Sequence, residues 1–372
     1  MTGLFTGRRW AGATAGIGLA LIFVLGLGHG LRAADWDAGG GDRWQTLLAR
    51  ARGEGTVVIS GCRAIEPLVA AFKRDTGIDV TLLSGQLPDL ENRFRLETQT
   101  GRVTIDVRFG GPAELDIARA GKLLDLNQAM VLPDLTDLSH WRNGRLEFLD
   151  NTKRYLMPSS KYVSTPPYIN TAFLDPIKIQ SLADLLKPEF KGKIAMSDPT
   201  VAGVGQTIAA YIASIKGVDF VKSLVTNQDV VFSRDNRQLA EWLARGVYPI
   251  VLGTAVDEIE RFRGEGITTL KAMSFSDGPG SLSSICAAEL PTSAPHPSAA
   301  IVFFNWFFSR VGQEAYVRAS RVPSLRSDVS TEGVPAEVLP RPGAAYVDQF
   351  AEDWYTQVRP GVQAALRKAL DK

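Results

Sequence analysis

Apolar and polar positions change along the first third of the chain in short blocks that suit strands and helices in turn. The predicted elements are helix 44–52, strand 56–60, helix 65–76, strand 78–83, helix 89–100, strand 104–109 and helix 113–120. In helix 65–76 the apolar residues Leu68, Val69 and Phe72 recur at helical spacing. Strands that alternate with helices predict βαβ units and a mostly parallel sheet.

A second alternating series begins at Ser181, which stands three residues before Asp184 at capping-box spacing. The series contains a short helix 181–190, strand 194–196, helix 208–215, strand 230–232, helix 237–244, strand 247–252 and helix 256–262. Ser233 or Asn236 is expected to cap helix 237–244. Thr254 and Asp257 have capping-box spacing before the last helix. The tail predicts an ordered loop and two helices, 344–357 and 361–370, that are broken at 359–361.

Small and polar residues follow the predicted strands. In a parallel sheet the carboxyl ends of the strands share one edge, where ligands bind, so these residues are expected to face one cleft. Arg63 and Arg234 each follow a strand end, and guanidinium together with backbone N–H groups favours an anionic ligand. From strand ends, helix starts and the two arginines, the candidate ligand-binding residues are Ser60, Arg63, Ser84, Gly85, Gly111, Thr200, Gly203, Gly205, Arg234, Asn236 and Thr254.

Composition limits the classes of function. A chain of 372 residues is long enough for two lobes, and its formal charge of +1 gives no general polyanion-binding surface, so no nucleic-acid partner is expected. Outside the first 33 residues the only histidines are His140 and His296, and no HExxH, GxSxG or phosphate-loop motif is present. We therefore predict no catalytic residues, no metal site and no cofactor.

The first 33 residues have the pattern of a secretory signal, with Arg8 and Arg9 before an apolar stretch over 11–27 and a cleavage point after Ala33. The arginine pair also occurs in twin-arginine signals, although Gly7 stands where those carry a hydroxyl residue. The alternative is an uncleaved membrane anchor. The two cysteines, Cys62 and Cys286, either pair in an oxidising compartment or are two buried small residues.

Several stretches, in order, resemble one protein family. They are AAFKRDTGIDV (70–80), ARAGKLLDL (118–126), YVSTPPYINT (162–171), SLADLLKPEFKGKIAMSDP (181–199) and HPSAAIVFFNWFFSRVGQEAY (296–316). Together they resemble the ABC-transporter substrate-binding proteins of the ferric-iron, thiamine and polyamine type. The resemblance covers most of residues 44–325.

The resemblance implies an α/β fold of the two-lobed periplasmic-binding-protein class, type II, in which each lobe is a mostly parallel sheet flanked by helices. The expected parts are a signal peptide 1–33, a linker 34–43, lobe one at 44–163 plus 286–325, and lobe two at 164–285 plus 326–372. Tyr162 lies in the stretch that first crosses between lobes and joins the candidate ligand residues. A monomer is expected to close around a small solute and to deliver it from the periplasm to a membrane permease and its ATPase.

The identity of the solute is open at this stage. Ferric-iron members of the family often carry two adjacent tyrosines after the strand that matches 247–252, but GTAVDEIERF (253–262) has none. Aromatic and acidic residues are not clustered as a polyamine cage needs. We expect an anionic organic solute. The alternatives are a ferric-iron site of unusual type that uses Asp257 or Glu258, a sensing subunit for a histidine kinase, and an enzyme on the same fold.

Overall fold

A computed structural model describes residues 36–61, 63–85, 87–164, 166–201, 203–284 and 286–370 of the chain; the side chains of Arg63, Leu87 and Pro88 are outside this description. The predicted signal peptide and Cys62 also lie outside the described residues. Within the predicted linker 34–43, Trp36 is buried and packs edge-on against Trp44 at a ring distance of 5.4 Å, so this residue belongs to the packed core.

Helices and strands alternate over most of the described chain. The α-helices are α1 (Gly41–Glu54), α2 (Val69–Thr76), α3 (Leu87–Thr100), α4 (Leu115–Arg119), α5 (Leu126–Ala129), α6 (Pro133–Thr136), α7 (Val204–Lys216), α8 (Val218–Asn227), α9 (Asn236–Ala244), α10 (Val256–Gly264), α11 (Pro297–Phe308), α12 (Arg310–Ser320) and α13 (Arg359–Leu370). The strands are β1 (Thr56–Ser60), β2 (Asp79–Leu83), β3 (Val107–Gly110), β4 (Met157–Pro158), β5 (Tyr162–Val163), β6 (Tyr168–Asn170), β7 (Ile194–Ser197), β8 (Val231–Ser233), β9 (Ile250–Leu252), β10 (Leu270–Ala272), β11 (Gly280–Ser283), β12 (Ala287–Glu289) and β13 (Tyr346–Asp348).

The first lobe is built on a sheet with strand order β2-β1-β3-β12-β4. β1 runs parallel to β2 and β3, whereas the returning strand β12 is antiparallel to β3 and β4. Helix α11 packs against this sheet with almost every side chain buried. Its one polar buried side chain is satisfied, because the Asn305 Oδ1 accepts hydrogen bonds from the backbone N–H groups of Val131 (2.9 Å) and Leu132 (3.1 Å).

The second lobe is built on a sheet with strand order β10-β6-β9-β7-β8. β7 is parallel to β8 and β9, while β6 and β10 are antiparallel to their neighbours. Ile208 and Ile212 of α7 and Leu224 of α8 are buried in the core on one face of this sheet. Each sheet is therefore mixed, with three parallel strands on one side and two antiparallel strands on the other, and the expected two-lobed α/β architecture is confirmed.

A small third sheet joins the two lobes, with β11 antiparallel to β5 and parallel to β13. The lobe boundaries that we assigned from the sequence remain predictions. Arg326, which we assigned to the second lobe, forms hydrogen bonds to Asp134 and to the Phe308 carbonyl, both in the segment assigned to the first.

Helix starts differ from the sequence expectations at three places. The Ser181–Asp184 capping box is present, but the helix that follows, Leu182–Leu186, is a 3₁₀ helix. Neither Ser233 nor Asn236 caps α9; the Asp235 carboxylate does so by accepting from Arg237 N at 2.8 Å. Thr254 and Asp257 do not form a capping box, because α10 begins after Ala255, which makes no side-chain cap.

The two predicted C-terminal helices are instead the strand β13 and a single helical stretch. A π-helical turn, Trp354–Val358, runs directly into α13, and Pro360 does not break the helix. The Arg359 N–H donates to the Trp354 carbonyl, five residues back, instead of to the carbonyl four residues back. Because the regular hydrogen-bond pattern already shifts just before Pro360, the helix tolerates the N–H that proline lacks. Among the described residues, no helix has both the length and the apolar character required to cross a membrane.

Candidate functional site

The carboxyl ends of β1, β2 and β3 lie at one edge of the first sheet, as the parallel pairing requires. Ser60 pairs with Leu83 of β2 and with Arg108 of β3, which places Ser84 and Gly85 beside it. Ser60 is fully buried, and its Oγ has no hydrogen-bond partner among the described residues. Ser84 and Gly85 are exposed. At this edge the Ser84 hydroxyl is therefore accessible to a ligand, whereas the unpartnered Ser60 hydroxyl is buried behind it.

Of two further predicted residues at this edge, one makes a hydrogen bond within the protein and the other has no described side chain. The Gly111 N–H donates to Glu114 Oε2 at 3.0 Å, so it is not free to bind a ligand. Arg63 opens a 3₁₀ helix, Arg63–Leu68, and its side chain is not among those described. The proposed role of Arg63 therefore remains a prediction.

A buried group of charged side chains lies behind Gly111. Arg108 donates to Glu114 Oε1 from Nη2 at 3.1 Å, and both side chains are almost completely buried. Glu289 is fully buried as well, and neither of its carboxylate oxygens has a hydrogen-bond partner in the described part of the chain. One oxygen each of Glu114 and Glu289 lies within 2.8 Å of the place that a Cβ on Gly110 would occupy. Burial, reinforced by the charge of Glu114, raises the pKa of Glu289 well above its usual value.

The corresponding edge of the second sheet is organised by Asp198, a residue that the sequence interpretation did not select. Its Oδ1 accepts hydrogen bonds from Thr200 N (2.9 Å) and Thr200 Oγ1 (2.6 Å), while its Oδ2 accepts from Arg234 Nε at 2.9 Å. The carboxylate thus brings Thr200 and Arg234 together. It also neutralises Arg234, whose side chain is 70% exposed. Arg234 is therefore a weaker candidate for binding an anion than its position in the sequence suggested.

Asn236 and Thr254 meet at the same edge through a structural hydrogen bond. Thr254 is fully buried, and its Oγ1 donates to the Asn236 carbonyl at 3.1 Å. This bond fixes the start of α9 to the loop before α10. A ligand role for either residue remains a proposal.

Gly203 and Gly205 have different structural reasons to be glycine. Gly203 precedes α7 with φ of 137°, a region that L side chains rarely adopt. Gly205 lies in the first turn of α7 and allows this helix to approach β7 closely. A Cβ at Gly205 would lie 2.2 Å from the Asp198 carbonyl oxygen and 2.4 Å from that of Ser197. The close packing of helix on strand accounts for Gly205 without a ligand.

We expect Gly205→Ala to lower the free energy of unfolding by about 1–3 kcal/mol, because backbone atoms must move to admit the methyl group. Urea unfolding measures this change. Gly264→Ala is the matched control, since nothing lies within 4 Å of the added Cβ at the end of α10. Equal stability of the two variants would show that α7 does not pack on β7 as closely as described.

Tyr162 lies where the two lobes meet. It belongs to β5, packs against the core of the first lobe and pairs with Ser283 of β11. Burial raises the pKa of the Tyr162 phenol; a hydrogen bond with Ser283 opposes this increase, and the negative charge of Asp257 adds to it. Asp257 belongs to α10 of the second lobe, so its charge acts on a phenol that packs against the first.

Of the two cysteines, the structure describes only Cys286. Cys286 is disulfide-bonded and 2% exposed, whereas Cys62 lies outside the described residues.

Comparison with known proteins agrees with this architecture. A family model described as bacterial extracellular solute-binding protein matches residues 67–339. A Serratia marcescens protein named "Fe(3+)-binding periplasmic protein" is 27% identical over 262 residues, which are 67% of this chain and 72% of that protein.

Solved structures share the fold at low sequence identity. A Trichodesmium protein in complex with iron and citrate has a TM-score of 0.66 at 17% identity, covering 86% of this chain and 100% of that one. The ferric binding protein of Campylobacter jejuni has a TM-score of 0.63 at 16% identity, covering 84% and 99%. A Clostridium perfringens ABC-transporter protein has a TM-score of 0.64 at 16% identity, covering 85% and 100%. Because the family model spans most of the chain, the protein belongs to the bacterial extracellular solute-binding proteins, as a substrate-binding protein of the ABC-transporter type.

Proposed function

We propose that this protein captures ferric iron together with a small organic anion that chelates it, and delivers the complex to an ABC import permease. The observation that carries this proposal is the position of Tyr162 on β5, in the small sheet between the lobes, where the negative charge of Asp257 on α10 acts on its phenol. Ferric iron prefers hard, anionic oxygen ligands, and a phenolate and a carboxylate are both of this kind. The names of the similar ferric-binding proteins support the same metal.

A chelating anion is needed because the chain offers few iron ligands of its own. The stretch after β9, GTAVDEIERF (253–262), contains no tyrosine. Two protein oxygens would leave most of the metal's coordination positions open. An organic anion with several carboxylates would fill them, and the exposed Ser84 hydroxyl at the edge of the first sheet suits an outer oxygen of such an anion. The anionic organic solute and the ferric-iron site expected from the sequence are thereby parts of one ligand.

The proposed cycle follows from the two-lobed fold. The lobes would close around the complex, exclude water and present the closed form to the permease and its ATPase. We propose a periplasmic location after export through the predicted signal, by the general or the twin-arginine route, and a monomer as the working form. Transport, rather than presentation of the ligand to a sensor kinase, is the role that the family supports best.

The proposal is tested by titrating the purified protein with ferric citrate while recording visible absorption. A phenolate bound to ferric iron gives a coloured charge-transfer band, and we expect Tyr162→Phe to abolish this band and to weaken binding about 100-fold or more. Since the raised pKa of Tyr162 means that the metal must displace the phenol proton, binding should strengthen as the pH rises from 5 to 7.

Tyr248→Phe is the matched control, because Tyr248 contacts Trp242 (ring distance 5.2 Å) in the core on one face of the second sheet. This variant should bind as the wild type does. Absence of ferric citrate binding by the wild-type protein would overturn the proposal. A colour that persists in Tyr162→Phe would show that other residues hold the metal.

A further inference from the structure

The C-terminal segment begins on the first lobe. Phe350 packs against the core cluster that includes Phe94 and Leu115. The Glu352 carboxylate accepts a hydrogen bond from Asn151 N at 2.7 Å, and it forms an ion pair with Arg119. These contacts hold residues 350–353 on the first lobe.

The same segment ends on the second lobe. Trp354, Val362 and Leu370 pack around the core of α7 and α8, and Leu366 is buried in it. The π-helical turn Trp354–Val358 lies between the two anchor points. The segment is therefore a connection between the lobes beyond the strands β5 and β11, and it must lie along one side of the space between them.

One stretch of this helix is directed at the cleft edges of both lobes. Two residues before the helical stretch, the Phe350 ring is 3.8 Å from the Cβ position of Gly111, at the edge of the first sheet. The charges of Glu91 and Glu114, near the same edge, act on the Tyr355 phenol. Further along, the side-chain amide of Gln363 is 2.9 Å from that of Gln206 in the first turn of α7. Tyr355 and Arg359 thus lie between the two edges.

These two side chains form a pair of hydrogen-bond donors. The Arg359 guanidinium carbon is 4.4 Å from the centre of the Tyr355 ring. Burial raises the pKa of Tyr355, even though the positive charge of Arg359 opposes this, so the phenol keeps its proton near neutral pH. Arg359 contacts the Gln363 amide and, among the described residues, forms no ion pair with a carboxylate. It differs in this respect from Arg234, which Asp198 neutralises.

A half-buried guanidinium beside a protonated phenol is suited to a carboxylate, because the planar fork of N–H groups matches its two oxygens and the phenol adds a third donor. We propose that Tyr355 and Arg359 form a carboxylate-binding wall of the cleft and contact the organic anion of the solute. This inference rests on the proposed function in one respect, namely that the solute carries a carboxylate.

Calorimetric titration of the whole protein with ferric citrate, and separately with citrate alone, tests this inference. We expect Arg359→Gln to weaken the binding of the probe by about 10-fold or more and Arg359→Lys to weaken it less, since lysine keeps the charge but not the fork. Tyr355→Phe should weaken it by a smaller factor. Arg367→Gln, an exposed arginine in the last turn of the same helix, is the control and should leave binding unchanged.

The outcomes separate this inference from the proposed function. If Arg359→Gln binds ferric citrate as tightly as the wild type does, the carboxylate-binding role of Arg359 is wrong, but the proposed function is unaffected. Citrate binding that depends on Arg359, without any binding of the ferric complex, supports the wall and overturns the iron part of the function. If the wild type binds neither probe, both are overturned. Unfolding midpoints of the variants, compared with that of Arg367→Gln, exclude a loss of folding as the cause.

Discussion

Replacing Arg326 with methionine is expected to lower the free energy of unfolding by about 3–5 kcal/mol, the usual cost of removing one partner from a buried ion pair. The Arg326 side chain is completely buried, and its Nη2 lies 2.8 Å from Asp134 Oδ1 and 2.8 Å from Asp328 Oδ2. A third bond, from Nη1 to the Phe308 carbonyl at 3.1 Å, connects the loop after α12 to the end of α11. Methionine fills the volume but leaves two carboxylates facing each other.

Urea unfolding at pH 7 measures this loss, and Arg310→Met is the matched control. The Arg310 side chain is 61% exposed and, among the described residues, pairs only with Glu314 on its own helix, so its removal should cost about 0.5 kcal/mol or less. Equal effects of the two substitutions would contradict the burial of Arg326.

The loss of unfolding free energy caused by Arg326→Met should become smaller in acid. Burial alone would raise the pKa of Asp328, but the hydrogen bond and the charge of Arg326 outweigh it and lower that pKa. A carboxyl group with a lowered folded pKa contributes stability above its unfolded pKa, and this stability is lost as the pH falls through the folded value. The difference between the two proteins is therefore expected to narrow below about pH 4. Asp134, His140 and Asp328 also lie close enough together to hold a cation, but the guanidinium occupies the space between the two carboxylates.

Replacing Glu289 with glutamine is expected to stabilise the protein at pH 8 by on the order of 3 kcal/mol, because an ionised carboxylate without partners is costly to bury. Burial and the charge of Glu114 raise the pKa of Glu289, and Glu91 and Asp150 act in the same direction; Arg108 is the only opposing charge among these neighbours. The folded pKa of Glu289 is raised, so its stability changes with pH in the opposite direction to that of Asp328, whose pKa is lowered. The contribution to stability is complete below the unfolded pKa and is lost as the pH rises through the folded pKa.

Unfolding in urea at pH 5, 6.5 and 8 tests this expectation. The wild type should lose stability as the pH rises over this range, and Glu289→Gln should lose much less, because its amide is neutral throughout. Glu332→Gln is the control, since Glu332 is exposed and should leave the pH dependence as it is in the wild type. Parallel pH profiles for wild type and Glu289→Gln would show that Glu289 reaches solvent or a partner.

The sequence alone determined the order of the elements and the class of fold. Apolar periodicity identified the three parallel strands of each sheet and most of the helices around them, and the glycine and serine residues after β1, β2 and β3 indicated which edge of the first sheet carries polar groups. These features depend on residues that are close in the sequence, so the local pattern of apolar and polar residues is enough to predict them. Some errors were of the same local kind, such as the cap of α9, where Asp235 competes successfully with Ser233 and Asn236; the antiparallel strands β4, β10 and β12 were not predicted.

Only the tertiary structure decided which polar groups meet. Asp198 neutralises Arg234 across 36 residues, Asn151 bonds to Glu352 across 201, and Asp134 to Arg326 across 192. The position of Tyr355 and Arg359 between the lobes likewise depends on the path of the tail. Such contacts are set by strand register and by the way that distant segments pack, and neither leaves a periodic signal in the chain. Local chemistry therefore indicated the edges of the cleft, whereas long-range packing determined which charges remain available there.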